Sequence, residues 1–349
     1  MRQVTQWIRE ADVVSALTLT DAVVALRSAF ADEGRGTALA MEKTMISFAA
    51  GVAGATGVDG GTGGAGHGTL HALGAALEED RLVGTKTWAH TPGGADPVLL
   101  LFDAADGSLI AVMEAFALGQ LRTAGTAALA TDRLARSDVT SLGVVGTGKQ
   151  ALPQVAAICA VRPIQEVRVF SRDPEKRKQF ASTVESELAV SCQPTESVAE
   201  AVSGAGVVTL VTRATEPVLT EPMVEPGMHI NAVGAIDLKR REFEPALLGR
   251  CSVVVSDSIP QVKSLSSEFR EFYASEHREW SAVRPLGEVV AAPGAGRTSP
   301  TDVTLFKGMG SGLEDLALAR AVLGRMEGRR PSGEVIQVPR AGRARPVLK

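Results

Sequence analysis

The segment at residues 141–158, SLGVVGTGKQALPQVAAI, constrains the fold more than any other part of the chain. An apolar run is followed by Gly146, Gly148 and Ala151 in G-x-G-x-x-A spacing, and then by a helical pattern. This order of strand, glycine turn and helix is the context in which the spacing indicates a dinucleotide-binding unit. Gly146 would permit the tight turn, Gly148 the close approach of a pyrophosphate, and Ala151 close helix packing. The helix N-terminus would direct N–H groups at the phosphates.

Strands and helices alternate after this unit. The strand-like runs are EVRVFS, VVTLVT, MHINAVG, CSVVVSD and DVTLF, and the helical patterns between the first of them are PEKRKQFASTVESE and SVAEAVSGA. Continuous Val, Ile and Leu strands that alternate with helices predict an α/β fold with a doubly wound parallel sheet, covered on both faces. A last helical pattern, GLEDLALARAVLGRM, is predicted to pack back on the N-terminal half of the chain.

The N-terminal half has a different pattern. A helix is predicted to start at Thr20-Asp21 and to stop at Gly34, and a second helix covers residues 118–136. Between them lie the strand-like runs MEKTMISFAA, TLHALGAAL, RLVGTKTWAHT and PVLLLFDAADGSLIAVMEAF, the last with an Asp106-Gly107 hairpin signal. Residues 51–68 are almost all Gly, Ala and small polar residues, and we interpret them as a flexible loop.

Composition excludes several functional classes. Hydrophobic residues make up 45%, charged residues 22%, and the net charge is -4, which is ordinary for a globular protein and argues against a nucleic-acid partner. No apolar run approaches the roughly 20 residues of a membrane span, and the start has no signal-peptide core. Three scattered cysteines favour a reducing cytoplasm. His67 and His71 have no metal-like spacing with an acidic cluster, so no metal is expected.

The end of the strand EVRVFS indicates which dinucleotide would bind. It continues with Ser171, Arg172 and Asp173. A hydroxyl and a guanidinium suit the 2′-phosphate of NADP(H), which we prefer, whereas an acid would suit the ribose 2′-hydroxyl of NAD(H). NAD(H) remains possible, with Arg172 solvated and Asp173 on the ribose.

The run VGTKTWAHTPGG carries a lysine and a histidine within a strand-like pattern. Alternation places Lys86, Trp88 and His90 on one face. A charged residue beside Trp88 is either part of a solvated strand edge or part of the lining of a polar pocket. A lysine among apolar neighbours can be partly desolvated, and its pKa then suits proton exchange with an amine or imine.

Several segments together resemble the ornithine cyclodeaminase/mu-crystallin family, in the family's order and over most of the chain. They are GTKTWAHTPGG, LLLFDAADGSLIAVMEAFALGQLRTAGTAALAT, GVVGTGKQA, INAVGAIDLKRREFEPALL and DVTLFKGMGSGLEDLALA. The resemblance implies a homodimer whose Rossmann domain, residues 123–305, is inserted into a substrate-binding and dimerisation domain made of residues 1–122 and 306–349. It also implies hydride transfer at the α-carbon of a small α-amino or α-imino acid, as in cyclodeaminases, alanine dehydrogenases and ketimine reductases.

The resemblance assigns roles by position. Lys86 matches the family's active-site lysine, and Arg122 matches the arginine that clamps the substrate carboxylate, a group that suits the bidentate guanidinium fork. Lys43 stands where the family has a second carboxylate-binding arginine. His90 shares the face of Lys86 and is either a proton-transfer group or a structural histidine.

The cofactor cleft is expected at the glycine turn, at the carboxyl ends of the following strands, and in the neighbouring LRTAG and KGMG segments. Its expected residues are Thr123, Gly146, Thr147, Gly148, Lys149, Gln150, Ala151, Ser171, Arg172, Thr212, Asn231, Ala232, Val233, Gly234 and Met309.

One departure from the family pattern bears on the reaction. Cyclodeaminases carry an acid/base aspartate directly after NAVGA, where this chain has Ile236, and the nearest acid is Asp237. Imine reduction needs fewer proton transfers than cyclodeamination, so the leading hypothesis is an NADP(H)-dependent imine reductase or amino acid dehydrogenase. The alternatives are an ornithine or lysine cyclodeaminase that recruits Asp237, and a non-catalytic dinucleotide-binding protein.

Overall fold

The computed structural model describes residues 5–50, 66–274, 278–292 and 294–326, and these form two β-sheets with helices around them. One sheet has seven strands and is mostly antiparallel, and the other has eight strands and is parallel throughout. The predicted α/β class with a doubly wound parallel sheet is confirmed. The domain limits given above stay a prediction.

The N-terminal half builds the seven-stranded sheet, whose order is β1-β7-β6-β5-β4-β2, with β3 paired to β4. Only the β1–β7 pair is parallel. The elements are β1 (Gln6–Ile8), α1 (Glu10–Ala16), α2 (Leu19–Arg35), β2 (Ala38–Ala40), β3 (Thr44–Ala50), β4 (Gly66–Leu77), β5 (Leu82–His90), β6 (Val98–Asp103) and β7 (Leu109–Glu114).

Local chemistry explains the hairpin and the first long helix, whose caps, Thr18 and Gly36, lie two residues outside the predicted limits. At the start of α2 the Thr18 hydroxyl accepts from the Asp21 N–H and the Asp21 carboxylate accepts from the Thr18 N–H, which is a capping box. Gly36 ends the helix with a φ of 79° in the left-handed region. Gly107, with a φ of 70°, turns the chain between β6 and β7 as the hairpin signal predicts.

The loop predicted at residues 51–68 is wrong at its C-terminal end. Residues 51–65 lie outside the described part of the chain, but β4 begins at Gly66, and its first residues pair with β3. A Cβ on Gly68 would stand 2.6 Å from the Phe48 ring, so the missing side chain lets that ring cover the strand. Antiparallel pairing uses backbone groups alone, which is why a glycine-rich sequence can enter a sheet.

The remaining elements alternate and build the eight-stranded sheet in the order β10-β9-β8-β11-β12-β15-β13-β14. They are α3 (Phe116–Leu134), β8 (Ser141–Val145), α4 (Ala151–Cys159), β9 (Glu166–Phe170), α5 (Pro174–Leu188), β10 (Ser191–Pro194), α6 (Val198–Val202), β11 (Val207–Leu210), β12 (His229–Ala232), β13 (Val253–Ser256), α7 (Ile259–Leu265), α8 (Ser267–Phe272), β14 (Val283–Pro285), α9 (Leu286–Ala291), β15 (Thr304–Lys307) and α10 (Gly312–Met326). Short 3-10 helices cover Glu221–Met223, Pro245–Arg250 and Trp280–Ala282.

The strand order reverses between β8 and β11. The chain runs outward from β8 to β9 and β10, and then returns to the other side of β8 with β11 and β12. The carboxyl ends of strands at such a reversal leave a crevice between the flanking connections, where ligands bind in open α/β sheets. The central strands β11, β12, β13 and β15 are buried along their whole length, as a sheet covered on both faces requires.

Helix α10 joins the C-terminal part of the described chain to the N-terminal half, as predicted. Its buried residues share one hydrophobic core with α2, α3 and the seven-stranded sheet. The approach is closest at Gly312, where a Cβ would stand 2.2 Å from the carbonyl oxygen of Gly74 in β4. Two glycines therefore let the first turn of α10 lie directly against the strand backbone.

Among the described residues no single helix is long and apolar enough to cross a bilayer. Helices α1 and α2 satisfy the length and composition criteria only when taken together, and they are bent by 88° at the break between them.

We expect the substitution Gly312→Ala to lower the free energy of unfolding by about 1–3 kcal/mol, because the added methyl group has only backbone to move against. Gly324→Ala in the same helix is the matched control, since no described residue lies within 4 Å of its Cβ position. That control should leave stability unchanged or raise it by up to about 1 kcal/mol. Urea unfolding of both variants checks the prediction, and equal stabilities would contradict it.

Candidate functional site

The glycine turn after β8 has the geometry that its sequence predicts. Gly146 has a φ of 111°, and its N–H donates to the Phe170 carbonyl at 2.8 Å. A Cβ there would lie 2.7 Å from the Val211 carbonyl oxygen, so only glycine fits. Gly148 faces open space, with nothing within 4 Å of its Cβ position. This turn therefore leaves room for a phosphate group at the start of α4.

Three clefts lie along this edge of the sheet, and two of them include the glycine turn. The inner cleft, about 580 Å³, lies between α3, the ends of β11 and β12, and the segment after β15. The outer cleft, about 470 Å³, lies between the glycine turn and the end of β9. The wide cleft, about 870 Å³, lies between the seven-stranded sheet and α7. Arg213 lines all three, and Ile236 lines the inner and wide clefts.

Most of the predicted cofactor residues line the inner or outer cleft. Those on the inner cleft are Thr123, Gly148, Lys149, Gln150, Thr212, Val233, Gly234 and Met309. Those on the outer cleft are Gly146, Thr147, Gly148, Ser171, Arg172 and Thr212. The two clefts share Gly148 and Thr212, so together they form a continuous path along the carboxyl edge of the sheet.

Three of the predicted cofactor residues lie in the interior instead. Ala151, Asn231 and Ala232 are fully buried and line none of these clefts. The Asn231 amide donates to the Thr131 hydroxyl at 2.9 Å, and its carbonyl oxygen lies 3.1 Å from His229 Nε2. Asn231 thus joins β12 to α3, and its side chain supports the sheet behind the cleft.

Asp173 is held by the helix that follows it. Its carboxylate accepts hydrogen bonds from the N–H groups of Glu175 and Lys176 at 3.0 and 3.2 Å, and it caps α5. These backbone hydrogen bonds, chiefly that of Lys176, lower the pKa of Asp173 below its usual value. Ser171 and Arg172 are the polar residues at the end of β9 that face the outer cleft.

A buried glutamate that the sequence analysis missed fixes the rim of the inner cleft. Glu242 accepts from the Thr212 N–H at 2.7 Å and from its hydroxyl at 2.9 Å. The N–H groups of Gly234 and Ala235 donate to its other oxygen at 2.7 and 3.0 Å. One carboxylate thus holds the ends of β11 and β12 together. Three of these four donors are backbone N–H groups, and Thr212 lies 30 residues away in the chain, so the sequence has no pattern that marks these contacts.

Lys86 is buried, with 4% of its surface exposed. Its Nζ donates to Asp315 Oδ1 at 2.6 Å and lies 5.4 Å from the Trp88 ring centroid. Burial lowers the pKa of Lys86, and the Asp315 charge opposes this effect. Lys86 does not line the clefts itself, but a Cβ on Gly119, which lines the inner cleft, would be 4.0 Å from its Nζ. The ammonium therefore lies directly behind the cleft wall.

Arg122 combines burial with access to the inner cleft. Its Nη1 donates to Glu314 Oε2 at 2.9 Å, and its Nε lies 3.8 Å from Asp315 Oδ1. Its Nη2 has no hydrogen-bond partner among the described residues, so half of the fork is available to a ligand. Gly310 makes room for it, since a Cβ there would stand 2.5 Å from Nη1. The guanidinium is thus oriented by protein carboxylates while part of it faces the cleft.

Carboxylates at the inner cleft are the main functional feature that the sequence analysis missed: Asp257 and Glu314 line the cleft, and Asp315 lies behind it. Glu314 and Asp315 are fully buried; burial raises the pKa of Glu314 well above its usual value, and the charge of Arg122, with which it forms an ion pair, opposes this effect. Asp257 accepts from the N–H groups of Met309 and Gly310 at 2.8 and 2.7 Å and so shapes the turn before α10. Adjacent acids in the first turn of a helix are common for electrostatic reasons, so the sequence did not single them out.

The wide cleft contains the other predicted site residues, Lys43, His90 and Asp237. Asp237 pairs with Arg240 at 3.3 Å and accepts from the Lys239 N–H at 2.9 Å. Burial, and then the charges of Arg122 and Lys86, lower the pKa of Lys43. Its Nζ lies 5.8 Å from the Trp88 centroid.

One wall of the wide cleft is a stack of His71 on Trp88, with ring centroids 4.7 Å apart. Burial and then the charge of Lys43 lower the pKa of His71 to about 4, so its imidazole is neutral near pH 7. The sequence left open whether the face of β5 that carries Trp88 is a solvated edge or part of a pocket. In the structure it is a partly apolar wall of the wide cleft.

No group of three or more His, Cys, Asp or Glu side chains that could hold a metal ion occurs within residues 5–50, 66–274, 278–292 and 294–326.

Residues 3–330 match the model of the ornithine cyclodeaminase/mu-crystallin family, and the chain belongs to this family. The ketimine reductase mu-crystallin of Mus musculus is 38% identical over 224 residues, which are 64% of this chain and 67% of that protein. The Delta(1)-pyrroline-2-carboxylate reductase of Bacillus cereus is 30% identical over 262 residues, 72% of this chain and 76% of that protein. Alignments cover 63% to 76% of the lengths of the curated relatives.

Solved structures show the same fold. An archaeal alanine dehydrogenase dimer with bound NAD superimposes with a TM-score of 0.81 and 26% identity, over 93% of this chain and 97% of that one. The predicted family is confirmed, and the relatives support the predicted class of an NAD(P)-dependent oxidoreductase that acts on imino or amino acids.

We expect Asp315→Asn to lower the free energy of unfolding by about 3–5 kcal/mol, because it leaves the buried Lys86 ammonium without its counter-charge. The double variant Lys86→Met/Asp315→Asn should lose less than the sum of the two single variants, since it buries no unpaired charge. Asp103→Asn, which weakens the exposed pair with Arg81, is the matched control and should cost less than about 1 kcal/mol. Urea unfolding measures all four, and additive effects would contradict the coupling.

Proposed function

We propose that this chain is an NADPH-dependent imine reductase acting on a small α-imino acid. One observation carries the proposal: Arg122 lies on the same cleft as the residues of the dinucleotide fingerprint and of the strand ends, among them Gly148, Thr212 and Gly234. A carboxylate held by Arg122 would therefore share one cavity with the reactive end of a bound dinucleotide. The relatives named above include two reductases, which supports the reaction class.

The residues around the glycine turn fit such a cofactor. The empty Cβ position of Gly148 and the cavity in front of α4 suit a pyrophosphate, and Gly234 and Met309 lie further along the inner cleft. When bound, the reduced nicotinamide supplies the hydride that the imine carbon accepts. The work of the protein is to bind and orient the imino acid, to exclude water and to manage one proton.

Arg122 is the proposed carboxylate clamp. Its Nη2 faces the cleft while Glu314 holds Nη1, so the fork has one fixed orientation before the substrate arrives. An imine accepts hydride best when its nitrogen is protonated, and a cation beside it would oppose that protonation. Glu314 and Asp315 offset the charges of Arg122 and Lys86 through their ion pairs, which limits this cost.

Lys86 and His90 are the proposed groups for proton exchange. The lowered pKa of Lys86 makes its ammonium a better proton donor than a solvated lysine, and the ammonium lies behind Gly119 at the wall of the inner cleft. His90 lines the wide cleft. Lys43 in that cleft would assist in binding the carboxylate, as the family resemblance suggests.

NADPH is the proposed form of the cofactor. Ser171 and Arg172 face the outer cleft, whereas the Asp173 carboxylate already caps α5 and is less available to a ribose hydroxyl. A guanidinium and a hydroxyl are the groups that recognise a 2′-phosphate. The archaeal relative with bound NAD shows that the fold also accepts the other cofactor.

We also propose a homodimer that uses the seven-stranded sheet. Ile46 and Phe48 of β3 and Leu70 of β4 are apolar, between 37% and 62% exposed and on one face of the sheet, where they form a continuous apolar strip. Such strips are typical of interfaces. In this proposal residues 1–122 and 306–349 form the dimerisation and substrate domain, and residues 123–305 form the dinucleotide domain. A cytoplasmic location stays a prediction from the cysteine content.

We expect the protein to oxidise NADPH with cyclic imino acids, or with 2-oxo acids plus ammonia, and Arg122→Lys to lower kcat/KM by roughly 10- to 100-fold, because a point charge replaces a fork. Arg133→Lys on the same helix, whose side chain lines none of the three clefts, is the control. Ammonia release from ornithine or lysine with no net change in NADPH would instead establish the cyclodeaminase reaction, with Asp237 recruited.

The cofactor preference has its own test. We expect Arg172→Gln to raise the KM for NADPH about tenfold and to leave the KM for NADH unchanged, because one charge-assisted hydrogen bond to the 2′-phosphate is lost. Lys176→Gln is the control. It removes an exposed positive charge on the first turn of α5, and it shows how much of the effect comes from a change in net charge near the cleft. A wild-type protein that uses NADH as efficiently as NADPH would contradict the preference.

A further inference from the structure

The wide cleft is larger than a short imino acid needs, and it is continuous with the inner cleft through Arg213 and Ile236. A substrate whose carboxylate binds at Arg122 would therefore extend its side chain past Arg213 into the wide cleft. The groups that line this cleft decide which side chains it accepts.

The charge on the wall is mostly positive. Four cationic side chains line the wide cleft, namely Lys43, Arg213, Arg240 and Lys263, against two carboxylates, Glu42 and Asp237. Asp237 is already paired with Arg240. His71 also lines this cleft, but its imidazole is neutral near pH 7 and adds no positive charge.

Arg213 is the cation best placed to meet a substrate. It follows β11, its side chain is exposed, and it forms no ion pair with a described carboxylate. It lies at the junction of all three clefts, between the proposed carboxylate clamp and the open volume beyond it. A guanidinium there matches a carboxylate at the distal end of a side chain. Lys263 lies on the same cleft; its Nζ is 5.7 Å from the Trp280 ring centroid, and it forms no ion pair with a described carboxylate.

We propose that the substrate is a dicarboxylic α-imino acid, whose second carboxylate is bound by Arg213 in the wide cleft. The proposal rests on the imine reductase function proposed above. It also accounts for the choice between the two candidate reactions, since the distal ammonium of ornithine or lysine would enter the same positive wall and be repelled. The apolar surface of Trp88 and Ile236 would contact the methylene groups between the two carboxylates.

The test compares substrates of similar length that differ in the distal charge. With NADPH and ammonia, we expect kcat/KM for 2-oxoglutarate to exceed that for 2-oxohexanoate at least tenfold, as a charge-assisted hydrogen bond predicts. Arg213→Gln should lower this ratio about tenfold. Lys239→Gln, which removes a nearby exposed charge that does not line the cleft, is the matched control and should change the ratio less than about twofold.

Two results would overturn the proposal. A wild-type ratio of one or less would show that the cleft does not select the second carboxylate. An Arg213→Gln variant that raises the KM for NADPH with both substrates, at an unchanged ratio, would assign Arg213 to the cofactor phosphates instead.

A binding measurement separates this proposal from the reductase function. If neither substrate is reduced, the reductase proposal fails. The proposal that Arg213 binds a second carboxylate is then tested by calorimetry, which measures the affinities of L-glutamate and L-norleucine for the protein with NADP⁺. Tighter binding of L-glutamate that is lost in Arg213→Gln and kept in Lys239→Gln would support it. Equal binding of the two amino acids would overturn it.

Discussion

The site depends on the buried Lys86, the partly buried Arg122 and the two adjacent carboxylates that pair with them. Lys86 and Arg122 come from β5 and α3, and Glu314 and Asp315 come from the first turn of α10. Each buried charge costs several kcal/mol to remove from water, so the four groups are stable only when all are present and correctly placed. These ion pairs therefore constrain the relative positions of β5, α3 and α10, and they fix where a ligand carboxylate can bind.

That constraint explains the packing around the start of α10. The helix can bring its carboxylates to β5 only if its first turn lies against the neighbouring strand β4, and the glycines at 74 and 312 allow this approach. Gly310 then leaves space for the Arg122 guanidinium, and Asp257 binds the backbone of the same turn. Small residues and backbone hydrogen bonds thus determine the geometry of charged groups that lie several ångströms away.

The sequence predicted the dinucleotide half of the site better than the substrate half. The strand, glycine turn and helix are local in sequence, so residues such as Gly146 and Gly148 were identified from spacing alone. Asn231 was expected at the cleft because it ends a strand, yet it alternates inward and bonds Thr131. Glu242 and Asp315 act on partners far away in the chain. Their function follows from tertiary contacts, for which one sequence has no pattern.

The distribution of charge along the clefts then argues for a direction of binding. At the inner cleft Arg122 and Lys86 are each paired with a carboxylate, which limits the positive charge next to a protonated imine. Along the wide cleft the carboxylates are fewer than the cations, and Arg213 and Lys263 form no ion pair with a described carboxylate. A ligand that is negative at both ends and positive at its reacting nitrogen matches this arrangement of charges along the two clefts. A ligand with a distal ammonium would meet the uncompensated cations instead.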